Sequence, residues 1–381
     1  MSVRRVVVIG AGLAGSRCAQ ALRAGGFDGA ITVLGEERHP PYERPALSKE
    51  FLAGARGGLA LRPASHWRDQ DVRLRLGSRA RRIDVASRTV RAGGEELGYD
   101  ALVLATGARG RRLPGLGGAG VHVLRTLDDA VRLRAELRPG GRLVIAGAGF
   151  VGTEVASTAL DLGLDVTIVD PGRIPFERVL GAEVGALLAD RYRAHGVRLR
   201  PGTHVARLER TPAGRPRAAV LADGTVLACD VLLVAVGADP AGELLGRGAV
   251  PTDALGRTAL PGVYACGDVA ATWHAGLGRH LRLGHWTSAA TQAAAVARTI
   301  LGHDPGPVPA PYFWSDQFGL RLQHVGAPGD WLRVVVDDRG ESVEARYLDG
   351  AGRLVAALLV NRPAAALSQL RKELGTDALA A

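Results

Sequence analysis

VRRVVVIGAGLAG at residues 3–15 and LVIAGAGFVG at residues 143–152 are the two stretches that decide the fold. Each is a short apolar run followed by Gly-x-Gly-x-x-Gly and then by a segment compatible with a helix. The glycines of such a strand–turn–helix unit permit a sharp bend, let backbone approach a pyrophosphate and allow the helix to pack on the strand. Amide groups at the start of the helix can then bind the diphosphate. Two copies predict two dinucleotide sites in one protein.

The glycine spacing is informative only in context, because a chain with 52 glycines among 381 residues produces the pattern about once by chance. Gly115, Gly117 and Gly120 also fit the spacing, but no apolar run precedes them, and we expect a loop there. The two copies that follow apolar runs each lead to a second apolar run ending near an acidic residue, Glu36 or Asp170. A carboxylate about 20 residues beyond the turn suits ribose hydroxyls.

Composition indicates a globular chain with more than one domain. A length of 381 residues exceeds what one ordinary core supports. The hydrophobic share of 47% and the charged share of 23% are typical of folded proteins. No apolar run reaches the ~18 residues that a membrane-spanning helix requires, and no leader-like segment precedes the first strand. We therefore expect a cytoplasmic protein that does not bind membranes.

Charge and cysteine content argue against several other functions. The net charge of +10 would attract acidic partners, but the basic residues form no block or aromatic-interleaved patch, so we predict no nucleic-acid binding. Cys18, Cys229 and Cys266 form no C-x-x-C or C-x-x-x-x-C pair. This spacing argues against a disulfide framework, a metal site and a redox dithiol.

The order of the predicted elements indicates an α/β protein with two nested Rossmann-like units and a small C-terminal α+β domain. Strand–helix–strand patterns fill the start of each unit, and a later apolar strand in each ends at a glycine, Gly107 or Gly237. Residues 262–268 are predicted to return to the first unit. A proline-rich linker at residues 304–311 then precedes three predicted strands and a terminal helix, residues 363–374.

The chain resembles the FAD-dependent pyridine nucleotide-disulfide oxidoreductases of the ferredoxin reductase type, a class that includes the reductases of ring-hydroxylating dioxygenase systems. The resemblance covers essentially the whole chain and rests on eight motifs in order: Gly10–Gly15, PALSK at 45–49, ATG at 105–107, LRTLDD at 124–129, Gly147–Glu154, CGD at 266–268, Trp286–Gln292 and WSDQ at 314–317. It implies nested glutathione-reductase-type domains: FAD-binding at 1–113 and 238–305, NAD-binding at 114–237, and a C-terminal reductase domain at 306–381.

The resemblance also implies cofactor-binding residues, carried over position by position. For FAD these are Gly10, Gly12, Ala14, Gly15, Glu36, Arg44, Lys49, Ala80, Thr106, Gly107, Arg125, Asp268 and Trp286. For the nicotinamide nucleotide these are Gly147, Gly149, Val151, Gly152, Glu154, Asp170, Arg178 and Gly237. A carboxylate at Asp170 favours NADH over NADPH, because it accepts from the ribose hydroxyls and repels a 2′-phosphate. Arg173 and Arg178 lie close downstream and could allow some binding of NADPH.

Three catalytic residues are implied at the reacting rings: Lys49, Glu154 and Trp314. A cation such as Lys49 beside the flavin can stabilise the anionic hydroquinone that forms after hydride transfer. A buried lysine needs a countercharge to keep its proton, so a pairing of Lys49 with Glu154 is physically reasonable. Trp314 is implied to border the isoalloxazine and nicotinamide rings.

The predicted activity is electron transfer from NADH through FAD to a small acidic two-iron ferredoxin, which serves a cytochrome P450 or a ring-hydroxylating dioxygenase. One alternative keeps the fold but changes the acceptor to rubredoxin, a quinone or oxygen, although residues 41–49 lack the cysteine that oxidase relatives carry there. A second alternative is a slow-turnover redox-sensing flavoprotein of the apoptosis-inducing type. The oligomeric state is open between a monomer and a homodimer.

Overall fold

The computed structural model describes residues 3–246, 248–304, 306, 309–327, 329 and 331–374. Parts of four predicted segments lie outside the described residues: residues 1 and 2 of the first part of the FAD-binding domain, 247 of its second part, 305, 307 and 308 of the linker, and 328, 330 and 375–381 of the C-terminal domain. The predicted boundaries at these places therefore stay predictions.

Helices and strands alternate through most of the described chain. The α-helices are α1 Leu13–Ala24, α2 Ala64–Asp69, α3 Leu127–Glu136, α4 Phe150–Asp161, α5 Glu177–Leu180, α6 Ala182–Ala194, α7 Trp286–Leu301 and α8 Ala364–Leu374. The strands are β1 Arg5–Ile9, β2 Ala30–Leu34, β3 Val72–Arg75, β4 Ala80–Asp84, β5 Thr89–Ala92, β6 Glu95–Gly98, β7 Ala101–Leu104, β8 Ala108–Gly110, β9 Val121–Val123, β10 Arg142–Ala146, β11 Asp165–Asp170, β12 Arg198–Pro201, β13 Val205–Arg210, β14 Pro216–Leu221, β15 Val226–Ala228, β16 Val231–Val234, β17 Ala238–Pro240, β18 Val250–Thr252, β19 Val263–Ala265, β20 Ala270–His274, β21 Arg279–Leu281, β22 Tyr312–Gln317, β23 Leu320–Gly326, β24 Arg333–Arg339, β25 Ser342–Leu348 and β26 Leu354–Val360.

The first unit is built on a parallel sheet of order β19-β7-β1-β2-β3. Its central strands are almost wholly buried, because α1 and α7 cover one face and the antiparallel sheet β4-β5-β6 covers the other. Continuous apolar runs such as VVVI in β1 follow from this double coverage. The late strand β19 joins the sheet beside β7, which supports the predicted return of the chain to the first unit.

The second unit repeats this design with the parallel sheet β12-β11-β10-β16-β9. The strand β10 lies between β11 and β16, as β1 lies between β2 and β7. Its helices α4 and α6 cover one face, and the antiparallel sheet β13-β14-β15 covers the other. The third possible glycine motif, at residues 115–120, lies in a loop before β9.

The C-terminal unit is an antiparallel sheet of order β22-β23-β26-β25-β24 with α8 packed against it. It has five strands where the sequence predicted three, because β22 and β23 were not recognised. Polar residues interrupt the apolar alternation of β22, and the tight turn to β23 places Phe318 at a positive φ of 52°. The fold class is nevertheless confirmed: two nested Rossmann-like α/β units precede a small α+β unit.

Two further observations bear on chemistry. No helix in the described part of the chain combines the length and apolar character needed to span a bilayer. The three cysteines are free and buried. Burial raises the pKa of Cys266 and of Cys229 to about 12, and it raises the pKa of Cys18 as well. These thiols are therefore protonated at neutral pH.

Candidate cofactor site

A cavity of about 1380 Å³ lies where the three units meet. Its walls include the segments that follow the carboxyl ends of β1, β2, β7 and β19 in the first unit and of β16 in the second. The start of α4 and part of β22 close the cavity from the other units. Ligands of open parallel sheets bind in this position, outside the carboxyl ends of the strands.

Most of the predicted site residues border this cavity. Those that do are Gly10, Gly12, Ala14, Glu36, Arg44, Lys49, Ala80, Thr106, Gly107, Arg125, Gly149, Val151, Glu154, Gly237, Asp268, Trp286 and Trp314. Five do not border it: Gly15, Gly147, Gly152, Asp170 and Arg178. The three glycines of this second group lie beneath the turns, against backbone.

In the first glycine turn, the first and third glycines pack against backbone, whereas the second faces open space. A Cβ added at Gly10 would lie 2.0 Å from the carbonyl oxygen of Ala105, and one at Gly15 would lie 1.9 Å from the carbonyl oxygen of Gly10. At Gly12 the nearest atom to such a Cβ is Nη2 of Arg44, at 4.0 Å. The first and third glycines are thus required by the fold, whereas the second leaves space for a phosphate on the cavity side. The turn fits a dinucleotide.

The second glycine turn has the same geometry. A Cβ at Gly147 would lie 2.5 Å from the carbonyl oxygen of Ala235, and one at Gly152 would lie 2.2 Å from the carbonyl oxygen of Gly147. A Cβ at Gly149 would meet no atom within 4 Å. The second turn therefore also leaves open space at its middle glycine, and it fits a second dinucleotide.

The structure brings Lys49 and Glu154 together. Lys49 follows a 3₁₀ turn of the first unit, residues 44–48, and its Nζ lies 2.8 Å from Oε2 of Glu154 on α4 of the second unit. The hydroxyl of Ser48 donates to the same Oε2 at 2.5 Å, and the hydroxyl of Ser315 donates to Oε1 at 2.7 Å. Glu154 is only 7% exposed. One buried carboxylate thus receives donors from the first and C-terminal units.

Asp268 and Arg125 form a second ion pair at the cavity wall. Nη2 of Arg125 lies 2.5 Å from Oδ2 of Asp268, and both side chains are partly exposed to the cavity. The turn before Asp268 packs closely on the first glycine turn, since a Cβ at Gly267 would lie 2.9 Å from the Cβ of Ala14. This packing places both charges beside the first glycine turn.

Glu36 lies in a weak surface network of charges. Its carboxylate is 3.4 Å from Nη1 of Arg79 and 3.6 Å from Nη2 of Arg109, and the side chain is 56% exposed. Exposed pairs of this kind contribute little stability. The carboxylate therefore remains able to accept hydrogen bonds from a ribose.

Arg44 is held by the protein itself. Its guanidinium donates to Oε1 of Glu37 at 2.6 Å, to the hydroxyl of Tyr42 at 2.9 Å and to the carbonyl of Arg125 at 2.6 Å. Burial raises the pKa of Tyr42, so the phenol stays neutral and donates to Glu37. Arg44 therefore joins the proline-rich loop to the segment before α3, besides bordering the cavity.

Asp170 lies beneath the second glycine turn. Its Oδ2 accepts from the amide of Ala148 at 2.7 Å, and its Oδ1 accepts from the amide of Gly172 at 2.8 Å. An ionised carboxylate has further lone pairs available for ribose hydroxyls. Arg173 and Arg178 are both exposed on the segment that follows.

Aromatic rings form the side of the cavity near Lys49. The rings of Trp286 and Trp314 meet edge to face with centroids 5.9 Å apart. Phe313 lies between two imidazoles, 4.3 Å from His285 and 5.0 Å from His324. Burial lowers the pKa of His285 to about 4 and that of His324 to about 3. At neutral pH these imidazoles carry no charge.

Sequence reasoning missed the hydroxyls around Glu154. On α4, Glu154, Ser157 and Thr158 follow an i, i+3, i+4 spacing and therefore share one face of the helix. Thr158 donates to the carbonyl of Ser48 at 2.8 Å, and Ser157 accepts from the amide of Phe318 at 2.7 Å. A polar stripe on a largely apolar helix was the available signal that this face meets other units.

Comparison with known families agrees with this geometry. Residues 4–293 match the family model described as pyridine nucleotide-disulphide oxidoreductase, and residues 312–378 match the model described as reductase C-terminal. The chain belongs to the pyridine nucleotide-disulphide oxidoreductase family. This membership confirms the predicted family and the predicted class of enzyme, an oxidoreductase that uses a flavin and a pyridine nucleotide.

Individual members of the family are similar over nearly the full chain. The biphenyl dioxygenase system ferredoxin--NAD(+) reductase component of Paraburkholderia xenovorans (strain LB400) is 40% identical, with 94% of this chain and 90% of the relative covered. The rubredoxin-NAD(+) reductase of Pseudomonas putida is 36% identical, with 94% and 96% covered. The covalent putidaredoxin reductase–putidaredoxin complex contains a chain with a TM-score of 0.95 and 33% identity, covering 99% of this chain and 94% of that one.

The different surroundings of the second and third glycines generate a test. Gly149→Ala should fold and bind FAD like the wild type but weaken NADH binding about tenfold, because the new methyl occupies the space left for phosphate. Gly152→Ala should instead lower the melting temperature, because its Cβ would clash with the carbonyl of Gly147. Titration calorimetry with NADH and thermal unfolding measure the two effects. Equal behaviour of the two variants would contradict the assignment.

Proposed function

We propose that this chain is an FAD-containing NADH:ferredoxin reductase that supplies single electrons to a two-iron ferredoxin of a ring-hydroxylating dioxygenase or cytochrome P450 system. The observation that carries the proposal is the ion pair between Lys49 and Glu154, which joins the two dinucleotide-binding units inside one cavity. The dioxygenase-system relative and the putidaredoxin reductase complex support the acceptor.

In this proposal, the residues of the chain bind the cofactors, orient them and shield them from water. The turns at Gly12 and Gly149 would hold the two diphosphates on backbone amides, one in each dinucleotide-binding unit. FAD, when bound, accepts a hydride and releases electrons singly. Lys49 supplies positive charge where negative charge develops, and Glu154 keeps the ammonium in place. Trp314 and its neighbours exclude water, and no nucleophile or general acid is required.

The proposed partner is an acidic two-iron ferredoxin, by similarity to the ferredoxin reductase component of a dioxygenase system. The proposed cofactor preference follows from charge. Asp170 at the end of β11 favours NADH over NADPH, since a 2′-phosphate would lie beside its carboxylate.

A cytoplasmic location and a monomeric or homodimeric state stay predictions. Rubredoxin is the second candidate acceptor, because a rubredoxin-NAD(+) reductase is similar over 94% of this chain.

The acceptor assay tests the function directly. Under anaerobic conditions, NADH should bleach the flavin absorbance of the purified holoprotein. The reduced protein should then reduce a two-iron ferredoxin faster than rubredoxin, benzoquinone or oxygen. Stopped-flow spectroscopy measures each rate. A flavin that NADH does not bleach would contradict the proposal, and faster reduction of rubredoxin would favour the second candidate. Very slow turnover with every acceptor would favour the redox-sensing alternative.

Lys49→Met should lower the limiting rate of flavin reduction by NADH at least about tenfold, because a positive charge beside the developing negative charge is lost. Lys372→Met is the matched control, since Lys372 is exposed on α8, outside the cavity. The control should reduce at the wild-type rate. Equal rates in both variants would remove Lys49 from the mechanism.

Asp170→Asn should raise the KM for NADH about tenfold while changing the KM for NADPH much less, because the substitution removes the charge but keeps the shape. Asp165→Asn provides a control at the other end of β11, where Asp165 pairs with Arg198 at 3.0 Å. Steady-state kinetics with both nucleotides give the ratio. Parallel changes in the two KM values would show that another residue sets the preference.

A further inference from the structure

We propose that Ser315 is a positioning residue through which the C-terminal unit fixes the Glu154 carboxylate and, by way of it, the Lys49 ammonium. The inference rests on the proposed function, because Lys49 affects hydride transfer only if the cavity holds a flavin. It assigns the C-terminal unit a part in tuning flavin reduction, in addition to its contribution to the cavity wall.

The hydrogen bonds at Glu154 divide unequally between its two oxygens. Oε2 receives the hydroxyl of Ser48 at 2.5 Å and Nζ of Lys49 at 2.8 Å, both from the first unit. Among the described residues, only Ser315 donates a hydrogen bond to Oε1, at 2.7 Å. Ser315 is 1% exposed and Glu154 is 7% exposed. Without this hydroxyl, Oε1 would be a buried charged oxygen with no protein donor, which is an unfavourable state.

The direction of this hydrogen bond follows from the carboxylate, which can only accept, so the hydroxyl of Ser315 is the donor. Nε2 of Gln317 donates to Oγ of Ser315 at 3.2 Å and leaves the hydroxyl hydrogen for Glu154. Ser315 and Gln317 are buried and Trp314 is partly exposed, as expected when successive side chains of β22 point to opposite faces. Trp314 borders the cavity, whereas Ser315 does not. Ser315 therefore lies outside the cavity lining and can act on the cavity only through Glu154.

Loss of the Ser315 hydroxyl should shift the position of the positive charge that Lys49 presents to the cavity. A carboxylate with one donor fewer rotates or moves to recover a partner, because buried polar groups are costly when unpaired. Since Lys49 is bound to the same carboxylate, its ammonium would move with it. The result would be weaker stabilisation of negative charge on the reduced flavin.

The chain offers a matched control serine. Ser157 lies on α4 one turn beyond Glu154, and its Oγ accepts from the amide of Phe318 at 2.7 Å in the turn between β22 and β23. Ser157 and Ser315 thus join the same helix to the same sheet. Of these two serines, only Ser315 contacts the Glu154 carboxylate. If loss of interdomain contact alone mattered, the two variants would behave alike.

The experiment compares FAD-loaded Ser315→Ala, Ser157→Ala and wild-type protein by two measurements. Stopped-flow reduction with NADH gives the limiting rate, and dye-mediated titration with dithionite gives the flavin midpoint potential. The flavin of the Ser315→Ala variant should be reduced about tenfold more slowly and should have a lower midpoint potential. The KM for NADH should change by less than about twofold. Ser157→Ala should match the wild type in rate and potential. Ser315→Thr, which keeps the hydroxyl, should restore most of the rate.

A double-mutant comparison identifies the route of the effect. In a Glu154→Gln background, adding Ser315→Ala should change the rate by less than about twofold, because the two residues act as one unit. A full additional loss would show that Ser315 acts elsewhere. Equal rates and potentials for Ser315→Ala and Ser157→Ala would also overturn the inference. If Ser315→Ala fails to retain FAD, Ser315→Cys, with its weak donor, takes its place in both measurements.

Failure of the proposed function gives a different result. Wild-type flavin that NADH cannot reduce would refute the function, yet the dithionite titration would still report the potential of each variant. A lower potential in Ser315→Ala alone would then support the positioning role without the hydride donor. Unchanged potential together with normal NADH reduction of the wild type would refute the inference and leave the function intact.

Discussion

One buried carboxylate, Glu154, is shared by all three units of the chain. It lies on α4 just beyond the first turn, where it receives Lys49 and Ser48 from the first unit and Ser315 from the last. A buried ion pair adds little net stability, because each charge loses its hydration. Its value lies in specificity, since the carboxylate is satisfied only when the three units are correctly placed. The rest of the site depends on that placement.

The two glycine turns have the same geometry, which fits two dinucleotides. Each turn packs its first and third glycines against backbone and leaves space at the second, Gly12 or Gly149. The strands β1 and β10 occupy equivalent places in their sheets, and both turns border the same cavity. The packing of the units thus brings the two glycine turns to one site, where Lys49 of the first unit contacts Glu154 of the second.

The sequence pattern alone predicted those parts of the fold that depend on residues close together in the chain. The apolar runs of β1 and β10, the glycine turns and the α/β class follow from residue period and turn chemistry. The strands β22 and β23 were missed, because polar residues of WSDQ break the alternation. Lys49 and Glu154 were paired through family resemblance, and the structure places them 2.8 Å apart. Their roles stay predictions.

The partners of several site residues could not be read from the sequence, because they come from distant segments. Ser315 is 161 positions from Glu154, and its hydroxyl reaches that carboxylate only after two units have packed. Asp268 and Arg125 are likewise 143 positions apart.

The burial of the three cysteine thiols has a separate consequence. Peroxide oxidises thiolates, whereas Cys18, Cys229 and Cys266 are buried and protonated. We therefore expect the thiols of the folded chain to resist oxidation.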